Sequence, residues 1–66
     1  METVFHIRSE TYAEKTRRLL SRQQIPYHVQ RKTSAEGCTA LFRSSIPSER
    51  IYPLLRANRI PFLIGE

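Results

Sequence analysis

The sequence has one cysteine, two glycines and no long apolar run, and each shortage excludes a class of function. Cys38 is the only cysteine, so the chain cannot form an internal disulfide, which fits a reducing compartment better than a secreted one. With only Gly37 and Gly65, it has no glycine-rich loop that could cradle a phosphate. No apolar run reaches the length of a membrane helix or a signal peptide. We therefore expect a cytoplasmic protein that does not enter a membrane.

Metal-binding motifs and a hydrolytic residue pair are also missing. There is no C-x-x-C or H-x-x-x-H motif and no paired acidic cluster, so we expect no metal and no cofactor. A cysteine nucleophile for hydrolysis needs a base within hydrogen-bond reach. The strand pattern below places His6 and His28 on the opposite side of the sheet from Cys38. The sequence thus favours a carrier or a binding module over an enzyme.

The length and charge restrict the architecture and the partners. The 66 residues form one domain, 1–66, and a domain of this size buries only about 60% of the surface of its unfolded chain. A dimer or a docking partner would add core that the monomer lacks. Eleven Lys and Arg against six Asp and Glu give a net charge of +5, which favours anionic partners such as nucleic acid, acidic proteins or phosphorylated ligands. The alternative is a basic surface that is only solvated.

An internal repeat is the strongest pattern in the sequence. Residues 8–29 and 43–64 align without a gap at an offset of 35 residues. The seven identical pairs are Arg8/Arg43, Ser9/Ser44, Glu14/Glu49, Leu19/Leu54, Leu20/Leu55, Ile25/Ile60 and Pro26/Pro61. The shared string L-L-x4-I-P-[YF] is typical of a helix end followed by a strand start. Two 35-residue strand–helix–strand repeats predict the order β-α-β-β-α-β.

Local signals set the bounds of these elements. The predicted strands are 3–8, 25–31, 38–43 and 60–64, with a turn over 34–37. The first helix begins at a cap on Ser9 or Thr11 and ends at Gln23-Gln24, and the second spans 48–58. Pro53 falls inside the second helix, so we expect that helix to be bent or to start late.

Two such repeats pack as a ferredoxin-like α+β sandwich, a four-stranded antiparallel sheet with both helices on one face. Pro26 and Pro61 fit the edge positions of the second and fourth strands. Alternation along each strand assigns side chains to faces. The predicted helix side carries Phe5, Ile7, Ile25, Tyr27, Val29, Cys38, Ala40, Phe42, Ile60, Phe62 and Ile64. The predicted open face carries Val4, His6, Arg8, His28, Gln30, Thr39, Leu41, Arg43 and Leu63.

The open face is a candidate partner surface. Val4, Leu41 and Leu63 would form an apolar centre with a polar rim, which suits a protein partner or a homodimer. Scattered surface apolars are the alternative, and they are common. His6 and His28 are expected to be neighbours across this face.

Nucleic-acid binding is a further alternative. Domains that bind RNA with this element order stack bases on open-face aromatics of the central strands. Here Phe5 and Phe42 point to the core, so the stacking platform is missing. Sequence-independent binding through Lys15, Arg18 and Arg22 on one helix stripe would need only phosphate contacts.

Cys38 is the candidate nucleophile. It follows Gly37, which leaves the sulfur accessible, and Arg31, Lys32 and Arg43 are near it in sequence and would favour the reactive thiolate. The alternative is structural, because free cysteine often packs as a small hydrophobe.

These features resemble the DUF3343 family of sulfur/selenium carrier-like proteins. The resemblance covers nearly the whole chain, from the opening strand through the helix ending in Leu-Leu and I-P-[YF] to the cysteine that opens the third strand. In that family the cysteine usually lies in a Cys-Gly pair followed by small and apolar residues and an arginine. Here Gly37–Arg43 reads G-C-T-A-L-F-R, with Thr39 where the family has glycine. The resemblance implies that Cys38 carries sulfur or selenium as a persulfide or selenosulfide between protein partners.

The leading hypothesis is a small sulfur/selenium carrier with Cys38 as the carrier thiol. The predicted binding residues around it are Gly37, Lys32, Arg43, His6, His28 and Leu41. The first alternative is a non-enzymatic interaction or regulatory module that uses the open sheet face or a strand edge. The second is a basic accessory protein that binds nucleic acid.

Overall fold

A computed structural model describes residues 2–34 and 37–65. The elements follow the predicted order. They are β1 (Thr3–Ile7), α1 (Glu10–Arg22), β2 (His28–Ser34), β3 (Gly37–Ser44), α2 (Ser48–Ala57) and β4 (Leu63–Ile64).

The four strands form one antiparallel sheet in the order β2-β3-β1-β4. Phe5 of β1 lies opposite Phe42 of β3, and His6 lies opposite Leu63 of β4. Both helices pack on the side of the sheet that carries Phe5, Ile7, Ala40 and Phe42. The ferredoxin-like α+β prediction is confirmed, with β2 and β4 at the edges as expected.

The two copies of the repeat end their helices in the same way. The Ile25 N–H donates to the Leu20 carbonyl at 2.8 Å, and the Ile60 N–H donates to the Leu55 carbonyl at 2.9 Å. The residue before each isoleucine has a left-handed backbone, with φ 58° at Gln24 and 56° at Arg59. This is a Schellman cap, in which an apolar residue after the left-handed position packs back on the helix. The string L-L-x4-I-P-[YF] is therefore the sequence of a helix cap.

The two helix starts differ. Ser9 is the N-cap of α1, and its Oγ accepts a hydrogen bond from the Tyr12 N–H at 3.4 Å. Pro47 precedes α2 and supplies no side-chain cap. α2 nevertheless begins at Ser48 and continues through Pro53. The expectation of a late start is therefore wrong.

Aromatic rings fill the space between sheet and helices. Phe5 and Phe42 stack at the centre of the sheet with ring centroids 5.1 Å apart. Tyr52 and Phe62 meet Phe5 edge-on at 6.3 and 6.1 Å, and Tyr27 lies 5.9 Å from Phe42. The apolar cluster around them contains Ile7, Ala13, Leu19, Leu20, Ile25, Ala40, Ile51, Leu55 and Ile60.

The edge strands are shorter at their starts than predicted. β2 begins at residue 28 rather than 25, and β4 at residue 63 rather than 60. The reason is the helix cap, because Ile25 and Ile60 donate their N–H groups to the preceding helices rather than to a neighbouring strand. Val29 and Ile64, predicted in the core, are 37% and 68% exposed because they lie on the outermost strands.

The β2–β3 connection is tighter than the predicted turn over 34–37. Ser34 and Gly37 pair with each other within the strands, and residues 35–36 lie outside the described part of the chain. β3 spans Gly37–Ser44, one residue longer at each end than the predicted strand 38–43.

Candidate functional site

Cys38 is the second residue of β3, at the end of the β2–β3 hairpin. It pairs with Thr33 of β2, and its Sγ lies 3.9 Å from the Thr33 Oγ1. The alternation with Ala40 and Phe42, which are both buried on the helix side, places Cys38 on that side as predicted. The thiol is nevertheless exposed. This exposure places the sulfur at the margin of the core, which argues against the alternative that treats Cys38 as a buried packing residue.

A small recess lies beside the thiol. It has a volume of about 20 Å³ and is bounded by Cys38, Ile7, Ser9, Glu10, Ala13, Arg31, Thr39 and Ala40. A space of this volume holds about one atom of the size of a water molecule. The start of α1 forms one wall of it. An ion pair between Arg31 of β2 and Glu10 of α1, with Nη1 and Oε1 2.9 Å apart, lies at its margin.

Only one of the three cations expected near Cys38 is on its side of the sheet. Arg31 pairs with Ala40, two residues along β3 from Cys38, and lines the recess. Lys32 pairs with Thr39 and so belongs to the open face. Arg43 is five residues along β3, about 17 Å away at the rise of a strand, and its Nη1 lies 3.4 Å from the Glu2 Oε1.

The open-face residues do not assemble around the thiol. Arg43 lies between His28 of β2 and Val4 of β1, while His6 pairs with Leu41, two residues away along β3. The prediction that His6 and His28 are neighbours is wrong, because β3 lies between their strands and separates them by two strand spacings, about 10 Å.

Leu41 is buried, although it points to the face that no helix covers. It lies between His6 on one neighbouring strand and Gln30 on the other, and it is 1% exposed. It belongs to the sheet rather than to a partner surface. The predicted apolar centre of the open face is therefore wrong. The other two apolar residues assigned to it are half-buried Val4 and exposed Leu63 at the sheet edge.

The sequence interpretation missed a larger groove at the opposite end of the hairpin. The groove has a volume of about 670 Å³ and is lined by Glu2, Ile25, Pro26, Tyr27, His28, Arg43, Ser44 and Ser45. Buried Ser44 shapes it, because its Oγ donates to the Pro26 carbonyl at 2.7 Å and accepts from the Ile46 N–H at 3.1 Å. The signal was in the repeat: Ser44 corresponds to Ser9, whose Oγ also accepts a backbone N–H.

Thr33 and Glu10 were also missed as neighbours of Cys38. The pairing of Ser34 with Gly37 continues into the pairing of Thr33 with Cys38, whereas the predicted second strand ended at Arg31 and left Thr33 outside the sheet. Within residues 2–34 and 37–65, no three His, Cys, Asp or Glu side chains are placed to hold a metal ion. None of the helices in the same part of the chain is both long enough and apolar enough to span a membrane.

Comparisons with protein-family models, with curated proteins and with solved structures find no match for this chain. The Cys38 end of the hairpin combines an exposed thiol, a recess of about 20 Å³ and the Arg31 guanidinium that lines this recess.

Proposed function

We propose that this protein carries sulfur or selenium on Cys38, as a persulfide or a selenosulfide. The observation that supports this most directly is the exposure of the Cys38 thiol near the start of β3. A carrier needs a thiol that two partners can reach in turn, and it needs no enclosed substrate pocket. A chain of 66 residues can meet that requirement.

The transfer is an exchange between sulfur atoms. The Cys38 thiolate attacks the outer sulfur of a donor persulfide, and a new S–S bond forms as the S–S bond of the donor breaks. The donor leaves as a thiolate and takes up the proton that Cys38 released, so a thiol and a persulfide are exchanged without net oxidation. A donor that holds selenium in the outer position delivers selenium by the same steps.

The surroundings of Cys38 suit a single added atom. Cys38 lines the recess of about 20 Å³, a volume that holds about one water-sized group. The Arg31 guanidinium supplies positive charge at its margin, although Glu10 already holds it at 2.9 Å. We propose that the donor and the acceptor are proteins that approach the hairpin end, in a cytoplasm whose reducing conditions keep Cys38 free.

Loading of Cys38 is testable by intact-mass spectrometry. The reduced protein is incubated with glutathione persulfide, and we expect a mass gain of one sulfur atom that dithiothreitol removes. Cys38→Ser should gain none. The loaded protein should then pass the atom to an acceptor thiol, which is measured as the return of the unmodified mass.

A relocated thiol provides the matched control. In the double variant Cys38→Ser/Ser21→Cys, the only thiol lies at an exposed position of α1, away from the hairpin. The proposal predicts that Cys38 loads and delivers several times faster than the thiol at position 21. Equal rates at the two positions would show that position 38 has no special role and would overturn the proposal.

A second candidate function is docking at a strand edge. Leu63 and Ile64 of the edge strand β4 are 49% and 68% exposed, and an exposed apolar edge is a template for strand addition. The double substitution Leu63→Lys/Ile64→Lys should then abolish capture of a partner while Cys38→Ser leaves it intact. The opposite pattern would favour the carrier.

A further inference from the structure

The outer surface of α1 carries a row of cations. Lys15, Arg18 and Arg22 are spaced at i, i+3 and i+7, which places them along one stripe of a helix, and all three are exposed. The Lys15 Nζ donates to the Asn58 carbonyl at 3.1 Å. This bond joins the middle of α1 to the end of α2 and brings the next residue, exposed Arg59, to the same surface.

α2 continues this surface. Arg50 is exposed in the first turn of α2, one turn before Leu54 on the same side of the helix. The two helices run antiparallel, because the strands β1 and β3 that precede them are antiparallel. Arg50 therefore lies toward the end of α1 that carries Arg22. We call Lys15, Arg18, Arg22, Arg50 and Arg59 the helix-layer cations.

Few carboxylates neutralise the helix-layer cations. Within residues 2–34 and 37–65, Arg18 is the only helix-layer cation in an ion pair, with its Nε 3.7 Å from the Glu14 Oε1. Arg17 is not on the stripe of Lys15, Arg18 and Arg22, and its Nη1 lies 3.6 Å from the Glu14 Oε2. Its interactions with Tyr27 first, and with Glu14, raise the pKa of its guanidinium. On α2, the acidic residue of the first turn is Glu49, which precedes Arg50 in the sequence.

The surroundings of these cations fit phosphates better than a membrane or a protein. Leu20, Ile51 and Leu55 turn the apolar sides of both helices into the core, whereas a membrane-surface helix needs an exposed apolar side. Protein interfaces are anchored by buried aromatic residues at their centre. The only large hydrophobic residue exposed on a described helix is Tyr12, in the first turn of α1.

We infer that the helix-layer cations bind the phosphate backbone of a nucleic acid without reading its bases. Phosphate contacts alone give affinity that falls steeply with salt and depends little on sequence. The surface is separate from the carrier thiol, which lies at the end of the β2–β3 hairpin. This inference does not depend on the proposed function, and Cys38→Ser should bind nucleic acid as the unchanged protein does.

The test is fluorescence anisotropy with a labelled single-stranded RNA of mixed sequence, titrated at several salt concentrations. Five phosphate contacts predict a slope of about −3.5 for log affinity against log salt, at about −0.7 per contact on single strands. Arg22→Gln/Arg59→Gln should weaken binding and reduce the slope to about −2. Arg8→Gln/Lys32→Gln removes the same charge from elsewhere and should leave the slope nearly unchanged. Circular dichroism verifies that both variants are folded.

Three results would overturn the inference. One is the absence of RNA binding at low salt. The second is an equal loss in the two variants, which would reflect net charge rather than a surface. The third is binding to vesicles that contain anionic lipid, without binding to RNA, which would assign the same cations to a membrane surface.

Discussion

Leu41 gives a direct test of how the open face of the sheet is built. It is 1% exposed and lies in the middle of β3, whereas Leu63 at the sheet edge is 49% exposed. Truncation of a buried leucine to alanine costs about 2–5 kcal/mol. Because Leu41 is outside the aromatic core, we expect the lower part of that range, about 2–3 kcal/mol. For exposed Leu63, the same truncation should cost about 0.5–1 kcal/mol.

The cost at Leu41 is large for a domain of this size. A chain of 66 residues has a free energy of unfolding of roughly 3–10 kcal/mol. Leu41→Ala should therefore lower the melting temperature by roughly 10–20 °C, given about 4–8 °C per kcal/mol for small domains. Urea unfolding followed by far-UV circular dichroism measures both variants. The expected result is a much lower midpoint for Leu41→Ala than for Leu63→Ala, with similar slopes.

The result that would refute this reasoning is an equal loss of stability in the two variants. Leu41 would then be as accessible as Leu63 in solution, and the apolar partner surface expected from the sequence would be restored. A charged substitution at Leu41 cannot serve as an interface probe, because it would unfold the sheet before it tested any docking.

Two further predictions concern the helix caps and the buried serine. Gln24→Gly should stabilise the fold by up to about 1 kcal/mol, because it relieves a left-handed backbone conformation that costs about 1–2 kcal/mol in residues other than glycine. Gln23→Gly should destabilise the fold, because Gln23 has an ordinary φ of −84°. Melting temperatures should shift in opposite directions for the two variants, and shifts of the same sign would contradict the helix cap. Ser44→Ala should cost about 1–3 kcal/mol because it leaves a backbone carbonyl and an N–H without their partner. Ser45→Ala at the exposed neighbouring position should cost less than about 0.5 kcal/mol in the same urea assay, and similar losses would mean that the Ser44 hydrogen bonds contribute nothing.

The fold could be predicted because one local signal occurs twice. The string L-L-x4-I-P-[YF] specifies a helix cap, and its repetition at an offset of 35 residues fixes two strand–helix–strand units. The periodicity also placed Phe5 and Phe42 correctly on the helix side, where they stack. These features depend on residues that are close in sequence, so one sequence is enough to predict them.

The sequence predictions failed where a residue has two structural roles, or where neighbours in space rather than in sequence determine its burial. Ile25 reads as the first residue of a strand, but its N–H closes a helix. Alternation predicts correctly that Leu41 points away from the helices, but it cannot predict that neighbours on both sides close over it. Val29 and Ile64 alternate as core residues, yet they lie on edge strands, where a neighbouring strand covers only one side.

The candidate site was predicted only in part. Cys38 was identified from its residue type and its place beside a turn, and its side of the sheet followed from the strand period. Its partners required the hairpin register, which pairs it with Thr33 rather than with residues close in sequence. Lys32 and Arg43 were assigned to the site by sequence proximity alone, and the pleat of the sheet places both on the other face.

The central claim is that Cys38 is an accessible carrier thiol in the folded protein. The rate of its alkylation by iodoacetamide, compared between the native protein and the same chain unfolded in urea at one pH, tests this claim most directly. We predict that the native thiol reacts at least as fast as the unfolded one. A native rate slower by an order of magnitude or more, limited by opening of the fold, would contradict the account, because it would make Cys38 a packing residue.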